Sequence, residues 1–510
     1  MKVAVCVAGP TVPAWQHDAV AHLRALPGVG LRVLRVDAPP WRAPRGAFAR
    51  LAGPALAPAR LALDPGAPAG DEDLVLDLAG AGIASAAPHG VWSFALGADG
   101  DADLPFAREV CARASIAEIA LVRQGAPGAA TLRRGRFSLR GWYPVTARIA
   151  FEQAARWPAT LAAVLLAGGR LATQPAAPPR VPAGTVDRRR FLAAIVLQMG
   201  AGLLDALTKL DQWNVGFAEG GPRRLLADEP LEVRWLPEPR AHAFLADPFV
   251  VERDGVRALF AEDFDYARGR GVIDALVLAA DDTVLRRERI IDAPTHLSYP
   301  FPLEIDGQLY LVPENCGANE VALYRCVRFP DLWERESALF PRFDGVDTTF
   351  FAHEGRWWAF CTRYSHGSNL ALHALHAPAL RGPWTEHPLN PIVVDVASAR
   401  PAGPPFVVDG ALYRLGQDCS ETYGGAVVIA RVDELTPLTY RETLVKRLAP
   451  PPGRYGDGIH TISFAGERIV VDGKRTVRDA RMLPRGIRAI AAGLLRRLLG
   501  RAGVTEATPA

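Results

Sequence analysis

The sequence predicts an α/β plus all-β chain: an N-terminal Rossmann-like parallel-sheet domain, then a five-bladed β-propeller and a C-terminal helix. Three observations carry this. Over residues 1–150, apolar strand-like runs alternate with helical spacing. Between residues 240 and 475 a hairpin signature recurs. The 510 residues include 47 Gly and 43 Pro yet are 49% hydrophobic, too turn-rich for a mostly helical protein and too apolar for disorder.

Lys2–Ala8 is an apolar β run, and Trp15, Ala19, Leu23 and Leu26 then fall at helical spacing. His17 and Asp18 stand where this helix should begin. Leu31–Val36 and Asp73–Leu78 are further β runs, separated by a Pro/Ala/Arg-rich insertion, 38–70, expected to be a loop or lid. Apolar strands in strand–helix–strand order imply a parallel sheet covered on both faces. The Pro-rich stretch 174–184 reads as a linker, and Phe191–Leu210 as an amphipathic helix. The apolar run Phe191–Leu204 contains Gln198 and, at this length, is short for a bilayer span. The expected boundaries are 1–170 for the α/β domain, 171–235 for linker and helix, 236–476 for the propeller, and 477–510 for a basic amphipathic helix and tail.

The repeat is the most informative feature. Its copies read Asp254-Gly255, Asp306-Gly307, Glu354-Gly355, Asp409-Gly410 and Ala465-Gly466, each followed by an apolar or aromatic strand, with the glycines 52, 48, 55 and 56 residues apart. Asp-Gly between alternating apolar runs marks a tight hairpin, because Gly accepts positive φ at no steric cost. Five copies of about 50 residues suit five four-stranded blades.

Equivalent positions of propeller blades meet at the central channel. Eight residues before each turn glycine stand Asp247, Tyr299, Asp347, Ala402 and Gly458, with Arg400 and His460 two residues from the last two. Seven residues after it stand Glu262, Glu314, Thr362, Gln417 and Gly473, with Asp472 beside the last. Rows that served packing alone would be apolar. Carboxylates with Arg, Tyr and an amide suit a polyhydroxylated ligand, since carboxylates accept sugar hydroxyl protons and a pair can act as acid and base on a glycosidic bond. Asp247, Glu314 and Asp347 are the catalytic candidates; Glu262, Tyr299, Arg400, Gln417, His460 and Asp472 are the substrate-binding ones. Local backbone capping by the same carboxylates is the competing explanation. His296 could equally serve a loop, and Trp333, Trp357, Trp358 and Trp384 read as blade packing.

The strings Ala246-Asp247-Pro248-Phe249-Val250, His296-Leu297-Ser298-Tyr299-Pro300, Val312-Pro313-Glu314, Arg400-Pro401-Ala402-Gly403 and Gln417-Asp418-Cys419 resemble the N-terminal domain of glucosamine inositolphosphorylceramide transferases and its bacterial relatives. That domain belongs to the five-bladed superfamily of arabinanase- and xylosidase-like glycosidases and levansucrases. The resemblance spans about 230–475. It implies a base Asp in an Asp-Pro context, which Asp247 matches. Ser298-Tyr299 stands where a pKa-modulating Asp is expected, and Asp347 where an acid Glu is expected, leaving Glu314 as a substitute acid. Met1–Trp15, Leu74–Gly80 and Gly90-Val91-Trp92-Ser93-Phe94 look like a formyltransferase-type Rossmann domain, but Trp92-Ser93-Phe94-Ala95-Leu96-Gly97 lacks that family's Asn and His. No G-x-G-x-x-G follows the first strand.

A net charge of +3 provides no global field for nucleic acid. Residues 474–501, however, carry nine basic residues and one acid, with Leu483, Ile487, Ile490, Leu494 and Leu498 on one helical face. Such a segment suits peripheral membrane contact through 477–501, and equally docking of its apolar face on the N-terminal domain with the Arg residues solvated. Six scattered cysteines without a C-x-x-C pair point to reduced thiols, with no metal and no cofactor expected. The combined expectation is a cytoplasmic protein, peripheral at the inner face of the membrane, that binds or processes a sugar or glycolipid head group in cell-envelope glycan synthesis. A glycosidase-like hydrolase or transglycosylase, and a non-catalytic scaffold for a glycan-assembly enzyme, stand beside it. Oligomeric state is left open.

Overall fold

The computed structural model describes residues 1–44, 51, 53–96, 104–124, 129–175, 186–240 and 242–479. The chain divides into two compact units, residues 1–200 with 436–440, and 201–435 with 441 onward. The basic segment expected at 477–510 lies outside the described residues except for 477–479, of which the first two complete a strand.

In the first unit, strands Gly30–Arg35, Lys2–Val7, Leu74–Asp77 and Val91–Leu96 lie side by side and parallel. Val3 to Val7 are at most 1% exposed, as befits a sheet covered on both faces. Two more strands, Ile116–Gln124 and Ala130–Ser138, continue the sheet antiparallel, so it is mixed rather than wholly parallel. Only five residues separate them in sequence, too few for the crossover that parallel pairing needs. The helix Ala14–Arg24 starts directly after Pro13 with no acid in its first turn, so Asp18 sits one turn inside it and is no start signal. Within the 38–70 insertion, Pro58–Arg60 pairs with Thr11–Pro13. At the end of its strand, Asp77 accepts the backbone N–H groups of Ala79, Ala81 and Gly82, folding the following loop over that edge.

The second unit is a β-propeller. Four separate four-stranded antiparallel sheets comprise Ala243–Arg253 to Val284–Ile291, Ser298–Ile305 to Leu332–Pro341, Phe406–Val408 to Tyr440–Leu448, and a closing sheet. A fifth antiparallel run, Gly345–His353, Arg356–Arg363, Ala371–Ala377 and Thr385–Glu386, belongs to a longer strand path. The closing sheet joins Ile462–Ala465 and Arg468–Arg478 to Lys209–Glu219 and Arg234–Trp235. Residues 209–219, within the expected connector, are thus a propeller strand paired along all eleven residues with 468–478.

The first four hairpins are two-residue turns with both central residues at positive φ, for example Asp254 (52°) and Gly255 (75°). The fifth differs. Ala465 pairs with Arg468, so its turn is Gly466-Glu467 and Gly466 occupies the first turn position rather than the second. The repeat alignment is therefore off by one residue in its last copy.

Candidate functional site

The innermost strand of each of the first three hairpins carries a bulge, between Ala246 and Phe249, Ser298 and Phe301, and Val346 and Thr349. At each bulge sits a non-glycine residue in the left-handed region: Asp247 (φ 53°), Tyr299 (44°) and Asp347 (47°). This conformation costs about 1–2 kcal/mol for an L-residue and persists only where the surroundings over-determine it. Here they do. Asp472 Oδ2 accepts the Asp247 N–H (3.1 Å), Asp247 Oδ2 accepts the Tyr299 N–H (3.2 Å), and Glu314 Oε2 accepts the Asp347 N–H (3.3 Å). Each bulge amide, freed from the ladder, is taken by a carboxylate facing the channel. Local backbone satisfaction and a polar centre are thus one arrangement, not competing ones.

Arg400 and His460 hold these carboxylates. Arg400 Nε donates to Asp347 Oδ2 (2.6 Å) and Nη2 to Asp347 Oδ1 (3.2 Å), while Nη2 lies 3.6 Å from Glu314 Oε2. Gln417 Nε2 donates to Asp347 Oδ2 and to the Pro401 carbonyl, both at 2.9 Å. His460 stands between Asp472 (Nδ1 to Oδ2, 2.6 Å) and Asp247 (Nε2 to Oδ1, 3.6 Å), and the Thr461 hydroxyl donates to Asp247 Oδ1 (2.6 Å). The Tyr299 hydroxyl is hydrogen-bonded to Thr349 (2.8 Å). Eight of the nine candidates therefore fall in one buried polar cluster, with Glu262, the ninth, alongside.

The second row is corrected by the shifted fifth turn. Glu262, Glu314, Thr362 and Gln417 are joined not by Gly473 or Asp472 but by Lys474, whose backbone bridges Gly458 and whose side chain is fully buried. Lys474 Nζ donates to the Thr422 hydroxyl (3.1 Å) and the Tyr423 carbonyl and lies over the Trp213 ring. Asp472 stands two residues earlier, where it reaches Asp247. Glu262 Oε1 is buried without a hydrogen-bond partner. His296 accepts the Gly271 N–H at Nδ1 (2.8 Å), so in its neutral form the ring proton is on Nε2, which faces that oxygen at 3.6 Å. With 28% of its side chain exposed, His296 is the most open member of the group.

Burial in this cluster moves proton affinities. Desolvation, reinforced by Asp347 and only partly offset by Arg400, pushes Glu314 up to about 8. Asp247 rises to about 6 through burial, opposed by His460. Glu262 is raised strongly by burial and by the neighbouring carboxylates. For His460, burial disfavours the imidazolium, but Asp472 and Asp247 outweigh it, and the net shift is upward. Burial and Arg400 lower His296 to about 4, keeping it neutral.

Several members were not foreseen. Asn369 accepts from Arg400 Nη1 (3.1 Å), Tyr423 lies under the Arg400 guanidinium (5.1 Å), and Trp213 stacks on His460 (4.0 Å, 28°). None stands at a repeat-equivalent position. Among the described residues, Asp247, His460 and Asp472 present donor atoms within 4.8 Å of one another, a spacing that fits a divalent cation. The contacts of His460 with the two carboxylates already account for the same arrangement. Trp333 and Trp358 are buried, as packing requires.

Residues 238–452 match the family described as glucosamine inositolphosphorylceramide transferase 1, N-terminal. The chain is 34% identical over 210 residues to glucosamine inositolphosphorylceramide transferase 1 of Oryza sativa subsp. indica, covering 40% of this chain and 28% of that protein. It is 33% identical over 208 residues to the Arabidopsis thaliana protein of the same name, covering 40% and 27%. The chain spans less than a third of the length of these relatives. Similar solved structures include a GH43_1 enzyme from Xanthomonas citri (12% identity, TM-score 0.33, covering 46% of this chain and 88% of that one). Another is CoXyl43, a GH43 β-xylosidase/α-arabinofuranosidase from a compost microbial metagenome (13%, 0.33, covering 46% and 91%).

Proposed function

We propose that the propeller binds a sugar or glycolipid head group at the Asp247–Glu262–Glu314–Arg400 cluster, in the synthesis of a cell-envelope glycan. We count the antiparallel run from Gly345 to Glu386 as its fifth blade, and read the first unit as a Rossmann-like, formyltransferase-like domain whose strand end is filled by the loop around Asp77. The kinship of 238–452 with transferases of an inositol-phosphate glycolipid supports the ligand class. The observation that carries it is the buried Glu262 Oε1, which makes no hydrogen bond and has only His296 Nε2 facing it at 3.6 Å. An unpaired buried acceptor costs about 1–3 kcal/mol, and a ligand hydroxyl would satisfy it.

A second reading has its own support. Glu314, protonated up to about 8, suits a general acid, and Asp247, ionised above about 6, suits a base. Asp347 is the weaker acid candidate because Arg400 holds both its oxygens.

The test is calorimetric titration of the full chain with glucosamine, inositol phosphate and their conjugate. Binding by the parent is expected to weaken at least about tenfold in Glu262→Gln and in Asp247→Ala, with an unchanged fold by circular dichroism. No affinity in the parent, or equal affinity in both variants, removes the binding reading. Turnover of a glycoside panel that survives Asp247→Asn removes the catalytic one.

A further inference from the structure

Helix Arg188–Thr208 buries only Phe191 and Ile195 and leaves a broad apolar surface exposed to water. Two of its polar residues are held by neighbouring groups. Gln198 donates to the carbonyls of Leu139 and Gly141, and Asp205 accepts from Arg478 Nη2 (2.6 Å). Phe191 and Ile195 are buried, Phe191 edge-on against Tyr143 (5.2 Å). At 100° per residue, the opposite arc runs from Met199 through Leu203, Val196, Gly200, Ala193 and Leu204 to Leu197, roughly 160° whose one polar side chain is Arg189 in the first turn. Along it, Val196 is 65% exposed, Leu197 63%, and Leu203 and Leu204 52% each. A water-facing helix surface normally carries charge there.

We propose that this arc is buried in one leaflet of an anionic lipid bilayer. The helix is long and apolar enough to cross a membrane, but Gln198 at its middle is held by the Leu139 and Gly141 carbonyls, which ties that side to protein, so it lies along the interface rather than spanning. Arg188, Arg189 and Arg190 stand exposed at its start, beside an Asp187 that caps the helix, and supply the cationic complement to lipid phosphates. Trp142, 40% exposed and next to the Gly141 carbonyl that holds Gln198, is the residue type that settles at the headgroup level.

The experiment is flotation of the full chain with phosphatidylcholine vesicles, with and without phosphatidylglycerol, free of any sugar lipid, so that it is independent of head-group binding by the propeller. The protein is expected to float with the anionic vesicles. Leu197→Glu/Leu203→Glu should lower the bound fraction about tenfold or more with an unchanged thermal melt, because both side chains are exposed. Arg188→Ser/Arg189→Ser/Arg190→Ser should lower it by about tenfold on anionic vesicles and little on neutral ones. If the double variant unfolds, Leu203→Trp keeps the test: its added fluorescence should be quenched by brominated-chain phosphatidylcholine. Four results each overturn the proposal: no flotation of the parent, equal flotation of the glutamate variant, added fluorescence in Leu203→Trp that the brominated lipid leaves unquenched, or a parent dimer dissolved by the same substitutions without vesicle binding.

Discussion

Asp247 shows how one side chain ties several demands together. Its left-handed backbone places its carboxylate against Thr461, His460 and the Tyr299 amide at once, and its own amide against Asp472. The cluster holds more carboxylates than cations, so protons make up the difference. That has a defined pH consequence. An unfolded Glu releases its proton near about 4.3, whereas folded Glu314 keeps it to about 8. Between these values the folded state binds more protons, so stability falls as pH rises through the window. Asp247, raised to about 6, and His460, raised by its carboxylates, add to the same sign. The urea midpoint is expected to drop between about pH 5 and about pH 8, and Glu314→Gln should flatten the profile. Asp247 and Glu314 were legible as site candidates because the repeat marked them. Asn369, Tyr423 and Trp213 were not, because each reaches the cluster from a position that no repeat register singles out.

At the scale of the element, the hairpin is the unit that was read best and misread once. Asp-Gly dictates a turn with two positive φ angles, and the first four copies have that geometry, Glu354-Gly355 included. In the last copy Gly precedes Glu, which moves the turn by one residue. That single step brings Lys474, rather than Gly473, into the row of Glu262 and Gln417. The bulges were invisible, since a left-handed Tyr299 or Asp347 contradicts local preference and is imposed by carboxylates far along the chain. Junctions between blades are equally unforgiving. Gly403 sits at φ 133°, and a Cβ there would lie 1.8 Å from the Ile462 carbonyl oxygen. Gly403→Ala is expected to destabilise the propeller by more than about 2 kcal/mol, since both conformation and backbone contact oppose it; denaturant unfolding measures this.

At the scale of the molecule, the propeller is closed by strand Lys209–Glu219 pairing with Arg468–Arg478, from the far end of the described chain. This pairing removes two sheet edges that would otherwise stay open. Phe217, 3% exposed on the closing strand, belongs to the core with Leu245 and Val470. Phe217→Ala should cost about 3–5 kcal/mol and lower the unfolding midpoint of the whole propeller rather than one blade, which tryptophan fluorescence and far-ultraviolet circular dichroism should report together. By itself, the sequence determined the local features: apolar strands, the hairpin turns, and the polar rows their spacing lines up. These depend on backbone preferences and on periodicity, which neighbouring residues set. Tertiary structure alone decided the closing strand, the mixed N-terminal sheet, the bulges and the exposed apolar face of helix Arg188–Thr208. Each of those turns on which distant group satisfies a backbone amide or covers an apolar face, and no local pattern encodes that choice.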